Sequence, residues 1–276
     1  MQTETRKVVA CLVVRLKSTR LARKGVADIC GKPMTLRLIE RLRQAHTIDE
    51  IVICTSTHPD DHELLELAQS WGVSAFAGDP DNVLSRLISV AETSGANAVL
   101  RITGDNVLTC PETIDRMVSQ HFSSRAEYSR TNNLPLGVTA EVLSTSMLKR
   151  LHDTMPDPNQ SEYMMLYAFD PERFKCMVHE APENCCRPHY ALTVDTPADL
   201  ALVQRLYAAY PNEPCGPKIT QAVAMLDADP DYHGISDDAP IRMPGGTTTT
   251  FRALLSMLDE RACRAHELYG LPRATE

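Results

Sequence analysis

The sequence lacks an apolar run long enough to cross a membrane. The run near the amino end, residues 8–14, has about seven residues before Arg15 interrupts it, whereas a transmembrane helix needs about 20. No small-residue cleavage site follows this run. The nine cysteines form no repeated C-x-x-C pair, a pattern typical of reduced thiols in a reducing compartment. We therefore expect a cytoplasmic protein that does not contact membranes.

Basic residues are scarce outside the first 43 positions. Residues 1–43 contain eleven Lys and Arg against three acids, a charge of +8, whereas the whole chain carries −8 and the remainder therefore −16. Such an acidic chain is poorly suited to coat a nucleic acid. Cations gathered in one stretch favour a small polyanion instead, and a nucleoside triphosphate is the natural candidate.

Apolar periodicity predicts alternating strands and helices in the first 105 residues. Strands are predicted at residues 8–14, 50–55, 73–77 and 98–103, and helices at about 34–45, 58–71 and 83–94. This order implies an α/β fold with a mostly parallel sheet flanked by helices. In such sheets ligands bind beyond the carboxyl ends of the strands. Both the basic loop after the first strand and Asp105 after the fourth lie at such ends.

Six short motifs follow one another in order over about 200 residues. They are R-x-x-S-T-R-L-x-x-K (15–24), G-K-P-M (31–34), I-D-E-I-V-I-C-T (48–55), D-x-V-L-x-R (81–86), R-I-T-G-D (101–105) and L-T-V-D-T-P-A-D-L (192–200). Together they resemble the cytidylyltransferases of the spore coat polysaccharide biosynthesis protein F type. More distantly, they resemble 3-deoxy-manno-octulosonate and acylneuraminate cytidylyltransferases.

This resemblance implies a glycosyltransferase-A-like, Rossmann-like domain over residues 1–210. Members of the family bind CTP and Mg²⁺, transfer CMP to the hydroxyl of an acid sugar or related small-molecule acceptor, and release pyrophosphate. Chemistry of this kind needs cations on the triphosphate and carboxylates that hold the metal. By resemblance, Arg15, Arg20 and Lys24 are the catalytic cations, and Asp105 and Asp195 are the magnesium ligands.

The motifs imply further substrate-binding positions. By the same resemblance these are Lys17, Ser18, Arg86, Arg101, Thr103, Glu141, Glu162 and Tyr167. Simpler interpretations stay open at this point. The arginine-rich loop could be solvated surface, and Asp105 or Asp195 could cap the helix that follows it.

The basic loop departs from the family pattern. Lys17 stands where the family usually has Gly, and Ala22-Arg23 where it has Pro-Gly. Glycines let backbone N–H groups wrap a phosphate. The substitutions therefore suggest that side-chain charge in this loop binds phosphate oxygens that backbone N–H groups bind in other members of the family.

The acceptor half departs further. The Arg and His that the family carries within the segment matching residues 161–167 are absent, and Ala191 replaces an arginine. An enzyme that clamps a carboxylate needs such cations, so we expect an acceptor that differs from the common acid sugars. Lys175, Arg187 or His189 could supply replacement charge.

Residues 211–276 form a C-terminal appendage outside the motifs. A helix is predicted at about residues 251–269, with an apolar stripe that needs a surface to cover it. That surface is either the main domain or a second subunit, and because the relatives are commonly dimers we expect a homodimer.

Two other functions stay open: a glycosyltransferase of the same fold, which would use a finished nucleotide sugar, and a catalytically silent nucleotide-binding relative.

Overall fold

A seven-stranded sheet organises the chain in a computed structural model that describes residues 6–18, 20–160 and 163–270. Its order is β5-β4-β1-β6-β8-β7-β9. The strands are β1 (Val8–Val13), β4 (Glu50–Ser56), β5 (Ser74–Gly78), β6 (Ala98–Thr103), β7 (Tyr128–Asn132), β8 (Glu141–Ser144) and β9 (Cys176–Glu180). Two short hairpins lie outside it, β2 (Asp28–Ile29) with β3 (Lys32–Pro33), and β10 (Pro240–Arg242) with β11 (Thr248–Thr250).

Helices cover both faces of the sheet. They are α1 (Met34–Leu42), α2 (His62–Ser70), α3 (Val83–Ser94), α4 (Pro111–Ser124), α5 (Thr145–Thr154), α6 (Met164–Ala168), α7 (Pro197–Ala209), α8 (Ile219–Asp227) and α9 (Phe251–Tyr269). The predicted helix at 58–71 begins later than expected because residues Pro59–Asp61 form a separate 3-10 turn, in which the side chain of His58 accepts a hydrogen bond from the backbone N–H of Asp60. None of the helices in the described ranges is long and apolar enough to span a bilayer.

The sheet is mostly parallel, as the strand and helix pattern predicts. Strand β1 pairs in parallel with β4 and β6, and β4 with β5. Strand β8 runs antiparallel to both β6 and β7, so β7 is parallel to β6, and β9 is parallel to β7. Six strands therefore end at the same edge of the sheet, where a doubly wound fold places its ligands.

Strand β1 is the third of the seven strands, between β4 and β6, and is buried on both faces. Val9 and Cys11 contribute to a core with α3, α5, α6 and α9, whereas Ala10 and Leu12 contribute to a second core with α1, α2 and α4. This explains the continuous apolar run, because a strand covered on both faces shows no polar alternation.

The C-terminal segment packs on the main domain. Leu258, Ala262 and Ala265 of α9 are buried in the core that includes Val178 of β9. Helix α8 packs with α7 in a third cluster of apolar residues. The apolar stripe of α9 is thus covered by the same chain.

Two buried histidines lie between α4 and the β7–β9 pair. His121 Nδ1 is 2.8 Å from Ser129 Oγ, and among the described residues neither ring nitrogen of His179 has a hydrogen-bond partner. Burial lowers the pKa of His121 to about 4, with a smaller contribution from His179. Burial, together with the charge of Arg116, lowers the pKa of His179 to about 4 as well.

We expect the fold to lose stability as pH falls from about 6.5 to 4. In that window the unfolded histidines bind protons and the folded ones do not, so the free energy of unfolding drops by roughly 3 kcal/mol for each histidine. Urea unfolding at several pH values measures this slope. His179→Phe should flatten it, whereas the exposed His152→Gln should not; equal slopes in all three proteins would contradict the expectation.

Candidate active site

Lys24 joins two aspartates from distant parts of the chain. Its Nζ lies 2.7 Å from Asp105 Oδ2 and 2.8 Å from Asp195 Oδ1, so these two oxygens are at most about 5.5 Å apart, the sum of those distances. The side chains of Lys24 and Asp105 are about four-fifths buried, and that of Asp195 is about three-quarters buried. Burial lowers the pKa of the Lys24 ammonium, but Asp105 and then Asp195 outweigh this effect and the pKa is raised. The sequence-predicted cation and both predicted metal ligands therefore meet at one point.

Asp105 is positioned by the tight end of β6. The N–H of Gly104 donates to Val13 O at 2.8 Å, and a Cβ on Gly104 would lie only 2.6 Å from Val14 Cβ. The carbonyl of Asp105 in turn accepts a hydrogen bond from the N–H of Val194 at 3.0 Å. A backbone bond thus ties the segment of one aspartate to the segment of the other.

Asp195 is positioned by the start of α7. Thr196 is the N-cap of this helix and forms a reciprocal capping box with Asp199. The Asp199 carboxylate also accepts from the backbone N–H of Asp195 at 3.0 Å. The cap of α4 is Cys110. Neither Asp105 nor Asp195 is a helix cap, so the structure excludes that interpretation, and both carboxylates bind cations of the basic loop.

Gly137 allows the segment before Asp195 to pack closely. The chain around Leu136 pairs with Tyr190, Ala191 and Leu192 through a parallel bridge and two backbone hydrogen bonds. Gly137 has a φ of 98°, and a Cβ there would lie 2.4 Å from the backbone nitrogen of Thr193. Only glycine fits this position.

The basic loop is anchored by a buried acid. Asp61, which is fully buried, accepts a hydrogen bond from the N–H of Leu16 at 2.7 Å and another from the Ser56 hydroxyl. Thr35 donates to Gly25 O at 2.7 Å at the other end of the loop. The loop after β1 is therefore held at both ends and is not a freely solvated surface.

The arginines of the loop point to different partners. Arg15 donates to Pro80 O at 2.9 Å, and the exposed Arg20 donates to Asp195 Oδ1 at 2.9 Å. Arg23 has a φ of 53°, a left-handed conformation that glycine adopts without strain, and its guanidinium pairs with Glu63 of α2 at 2.6 Å. Arg23 therefore occupies a backbone conformation suited to glycine, and its charge is bound by Glu63.

Other predicted substrate residues lie near this edge. Lys17 is exposed and Ser18 half-buried. Arg86 is 1% exposed, and burial lowers its pKa. Its Nη1 lies 3.4 Å from Cys54 O, while its Nε and Nη2 find no hydrogen-bond partner in the part of the chain that the structure describes.

A second group lies on the face of β6 that carries α6. Arg101 pairs with Glu141 on the adjacent strand, and Glu141 also accepts from the Tyr128 hydroxyl. Thr103 follows two residues later on the same face, and Tyr167 packs against the core there. The predicted Glu162 lies outside the described residues.

The three possible replacement cations bind other groups. Lys175 Nζ donates to Ser124 O at 2.7 Å. Arg187 pairs with Asp227 at 2.7 Å, and His189 Nε2 lies 2.9 Å from Asp237. These residues fasten loops and the C-terminal segment.

Sequence reasoning missed Asp61, Asp199 and Gly137 as positioning residues. The T-x-x-D spacing from Thr196 to Asp199 is a capping-box signal and could have identified Asp199. No local signal identifies Asp61, because its partner, the backbone of Leu16, is 45 residues away in the chain.

The cytidylyltransferase family model matches residues 9–210, the range that contains Lys24 and both aspartates. The chain belongs to the cytidylyltransferase family. It is therefore a nucleotidyltransferase.

Relatives of this cytidylyltransferase support the assignment. It is 28% identical over 230 residues to the spore coat polysaccharide biosynthesis protein SpsF of Bacillus subtilis, covering 81% of this chain and 95% of that protein. It is also 28% identical over 148 residues to the 3-deoxy-manno-octulosonate cytidylyltransferase of Geobacter sulfurreducens, covering 53% and 58%. A solved cytidylyltransferase from Leptospira borgpetersenii has the same fold, with a TM-score of 0.75 at 23% identity over 82% of this chain and 96% of that one.

We expect Gly137→Ala to disturb the site of this cytidylyltransferase from a distance. The added Cβ meets backbone that cannot yield, which we expect to cost about 3 kcal/mol or more, and it displaces the segment that leads to Asp195. Urea unfolding measures the loss, and CTP titration should show weaker binding. Gly95→Ala is the matched control: Gly95 has a φ of 66° but open space around its Cβ, so we expect a loss of only about 1 kcal/mol. Equal losses in the two variants would contradict the steric argument.

Proposed function

We propose that this protein transfers CMP from CTP to a hydroxyl of a sugar-like acceptor and releases pyrophosphate. One observation carries the proposal: the Lys24 ammonium lies between the Asp105 and Asp195 carboxylates at the ligand-binding edge of a cytidylyltransferase sheet. The basic loop that holds Arg15 and Arg20 lies beside this cluster.

The residues at this point fit a magnesium ion. The Asp105 and Asp195 oxygens already converge on one positive charge, that of Lys24. Mg²⁺ takes one or two carboxylates and completes its shell with water and phosphate oxygens. Within the described ranges no cluster of three or more His, Cys, Asp or Glu side chains could hold a metal. When bound, Mg²⁺ would neutralise charge on the phosphates.

The cations of the loop have a separate role. Pyrophosphate gains negative charge as it leaves, and fixed cations that are already in place stabilise this charge. In this proposal Arg20 and Lys24 bind the β- and γ-phosphates, and Arg15 holds the loop between β5 and α3 through its hydrogen bond to Pro80 O. The fixed geometry aligns the acceptor oxygen with the α-phosphorus.

In this proposal Lys24 binds the two carboxylates when no nucleotide is present and the triphosphate when CTP is bound. In the structure its ammonium neutralises the two carboxylates, which would otherwise repel each other. A divalent cation competes for the same oxygens. We infer that the triphosphate draws Lys24 to itself and so prepares the carboxylates for the ion.

A homodimer and a cytoplasmic location stay predictions. The covered stripe of α9 removes one reason to expect a second subunit. Light scattering measures the molar mass of the purified protein and so tests whether it is a dimer.

We expect pyrophosphate release that depends on CTP, Mg²⁺ and both aspartates. With a panel of sugar acceptors, Asp105→Asn and Asp195→Asn should lower the rate by about 100-fold or more, since each removes a charged ligand. A coupled pyrophosphate assay measures this. Asp229→Asn is the control, because Asp229 pairs with the exposed Arg205 away from the site.

Two results would overturn this function. Transfer of a sugar from a finished nucleotide sugar without pyrophosphate would indicate a glycosyltransferase. Tight CTP binding with no pyrophosphate from any acceptor in the panel would indicate a silent nucleotide-binding protein.

We expect Lys24→Met to separate metal binding from nucleotide binding. Without nucleotide, the variant should bind Mg²⁺ at least about tenfold more tightly, because the competing ammonium is gone. Its affinity for CTP should fall by about 10- to 100-fold, the range for a lost hydrogen bond to a charged group. Isothermal titration calorimetry measures both. Lys149→Met, which removes a surface pair with Glu92, should change neither, and weaker Mg²⁺ binding by Lys24→Met would contradict the competition.

A further inference from the structure

An irregular stretch of chain leads into the site. Residues 187–195, which we call the approach segment, form neither helix nor strand and end at one of the two site aspartates. One side of this segment pairs in parallel with the loop after β7. The N–H of Leu136 donates to Tyr190 O at 2.8 Å, and the N–H of Leu192 donates to Leu136 O at 2.7 Å. The residue between these two, Ala191, therefore directs its own N–H and C=O to the other side.

The half-buried Tyr232 binds both of these groups. Its hydroxyl accepts a hydrogen bond from the N–H of Ala191 at 2.8 Å and donates to Ala191 O at 3.3 Å. A hydroxyl can accept and donate at once, so this one side chain supplies both contacts that a neighbouring strand would supply. Burial raises the pKa of the Tyr232 hydroxyl, the Ala191 N–H opposes this effect, and the charge of Asp199 adds to it. Tyr232 thus also lies within electrostatic range of the acid that holds the turn at Asp195.

Side-chain contacts join the approach segment to the same part of the chain. The Asp227 carboxylate accepts two hydrogen bonds from the Arg187 guanidinium, at 3.0 and 2.7 Å, and one from the Tyr190 hydroxyl at 2.6 Å. The Tyr190 ring meets the Tyr232 ring edge-on, with their centres 4.9 Å apart. Residues at and after the end of α8 therefore fix the start of the approach segment.

Further contacts extend this attachment. The N–H of Ile235 donates to His189 O at 2.7 Å. Gly234 permits this close approach, because a Cβ there would lie 2.5 Å from His189 O. His189 Nε2 lies 2.9 Å from Asp237 Oδ1. Residues 227–237, which we call the clamp segment, thus bind the first half of the approach segment through side chains and backbone together.

The clamp segment lies beyond the matched range of the family model, which ends at residue 210. The main domain covers one side of the approach segment and the clamp segment covers the other. An extended segment without secondary structure of its own takes its position from such neighbours. Mg²⁺ requires near-ideal octahedral geometry, so a small shift of the segment would weaken a metal site that includes Asp195.

We propose that Tyr232 is a positioning residue for Asp195 and that the clamp segment belongs to the catalytic unit of this protein. The assignment rests on the proposed function, because it takes Asp195 as a magnesium ligand. Tyr232 acts through the backbone of Ala191 and does not itself contact metal or nucleotide in this proposal. The C-terminal appendage therefore supports the reaction and does not serve only to cover the core.

The test removes one hydroxyl. Tyr232→Phe keeps the ring but leaves the Ala191 N–H and C=O without their partner. In the protein without nucleotide, backbone hydrogen exchange of the approach segment should become about tenfold faster. The Mg²⁺ concentration that gives half-maximal pyrophosphate release should rise about tenfold, while KM for CTP at saturating Mg²⁺ stays within about twofold. A simple loss of folded protein would lower the rate and leave both of these constants unchanged.

A second variant and two controls accompany it. Asp227→Asn weakens a different contact of the clamp segment and should shift exchange and Mg²⁺ dependence in the same direction. Tyr269→Phe is the control for the first variant, because the Tyr269 hydroxyl donates to the backbone carbonyls of Pro171 and Phe174. Asp229→Asn is the control for the second, since this neighbouring acid pairs with α7 and not with the approach segment. Both controls should leave exchange and Mg²⁺ dependence as in the wild type.

Three results would overturn the assignment. They are unchanged exchange of the approach segment in Tyr232→Phe, a lower rate in that variant with an unchanged Mg²⁺ dependence, and equal shifts in the control variants. Failure of the proposed function is seen separately, as absence of pyrophosphate release by the wild type with every acceptor. In that case faster exchange of the approach segment in Tyr232→Phe would still support the positioning role, and unchanged exchange would refute it.

Discussion

The shared contact of Lys24 with Asp105 and Asp195 is the interaction on which the site depends. Without the ammonium, two carboxylates within about 5.5 Å would repel each other in a partly buried environment. The contact also joins the amino-terminal loop to a segment 171 residues away. Lys24, with Arg20 as a second partner of Asp195, thus balances the charge of the site and joins its two halves.

Buried polar contacts keep these halves in place. Asp61 holds the loop after β1, and Asp199 holds the turn that presents Asp195. Asp61 accepts from one backbone N–H and from the Ser56 hydroxyl, and Asp199 accepts from two backbone N–H groups. Acids bound to the backbone therefore hold the segments that carry the charged side chains of the site.

The local parts of this structure could be predicted from the sequence. The bounds of β6 and α9 match the predicted ones because apolar periodicity reports directly on burial. The motifs identify the two aspartates that the structure brings to Lys24. The antiparallel β8 and the pairing of Arg101 with Glu141 cannot be predicted in this way, because strand pairing here brings together residues 40 to 46 positions apart in the chain. Local pattern carries no information on such pairing.

The Arg101–Glu141 pair controls the charge on the strand that ends at the site. Arg101 of β6 pairs with Glu141 of the adjacent β8, four residues before Asp105. In the proposed function a triphosphate brings several negative charges to this edge of the sheet, and like charges repel strongly in a low-dielectric cleft. Because Arg101 already neutralises Glu141, this carboxylate adds little to the negative potential that the nucleotide would meet there.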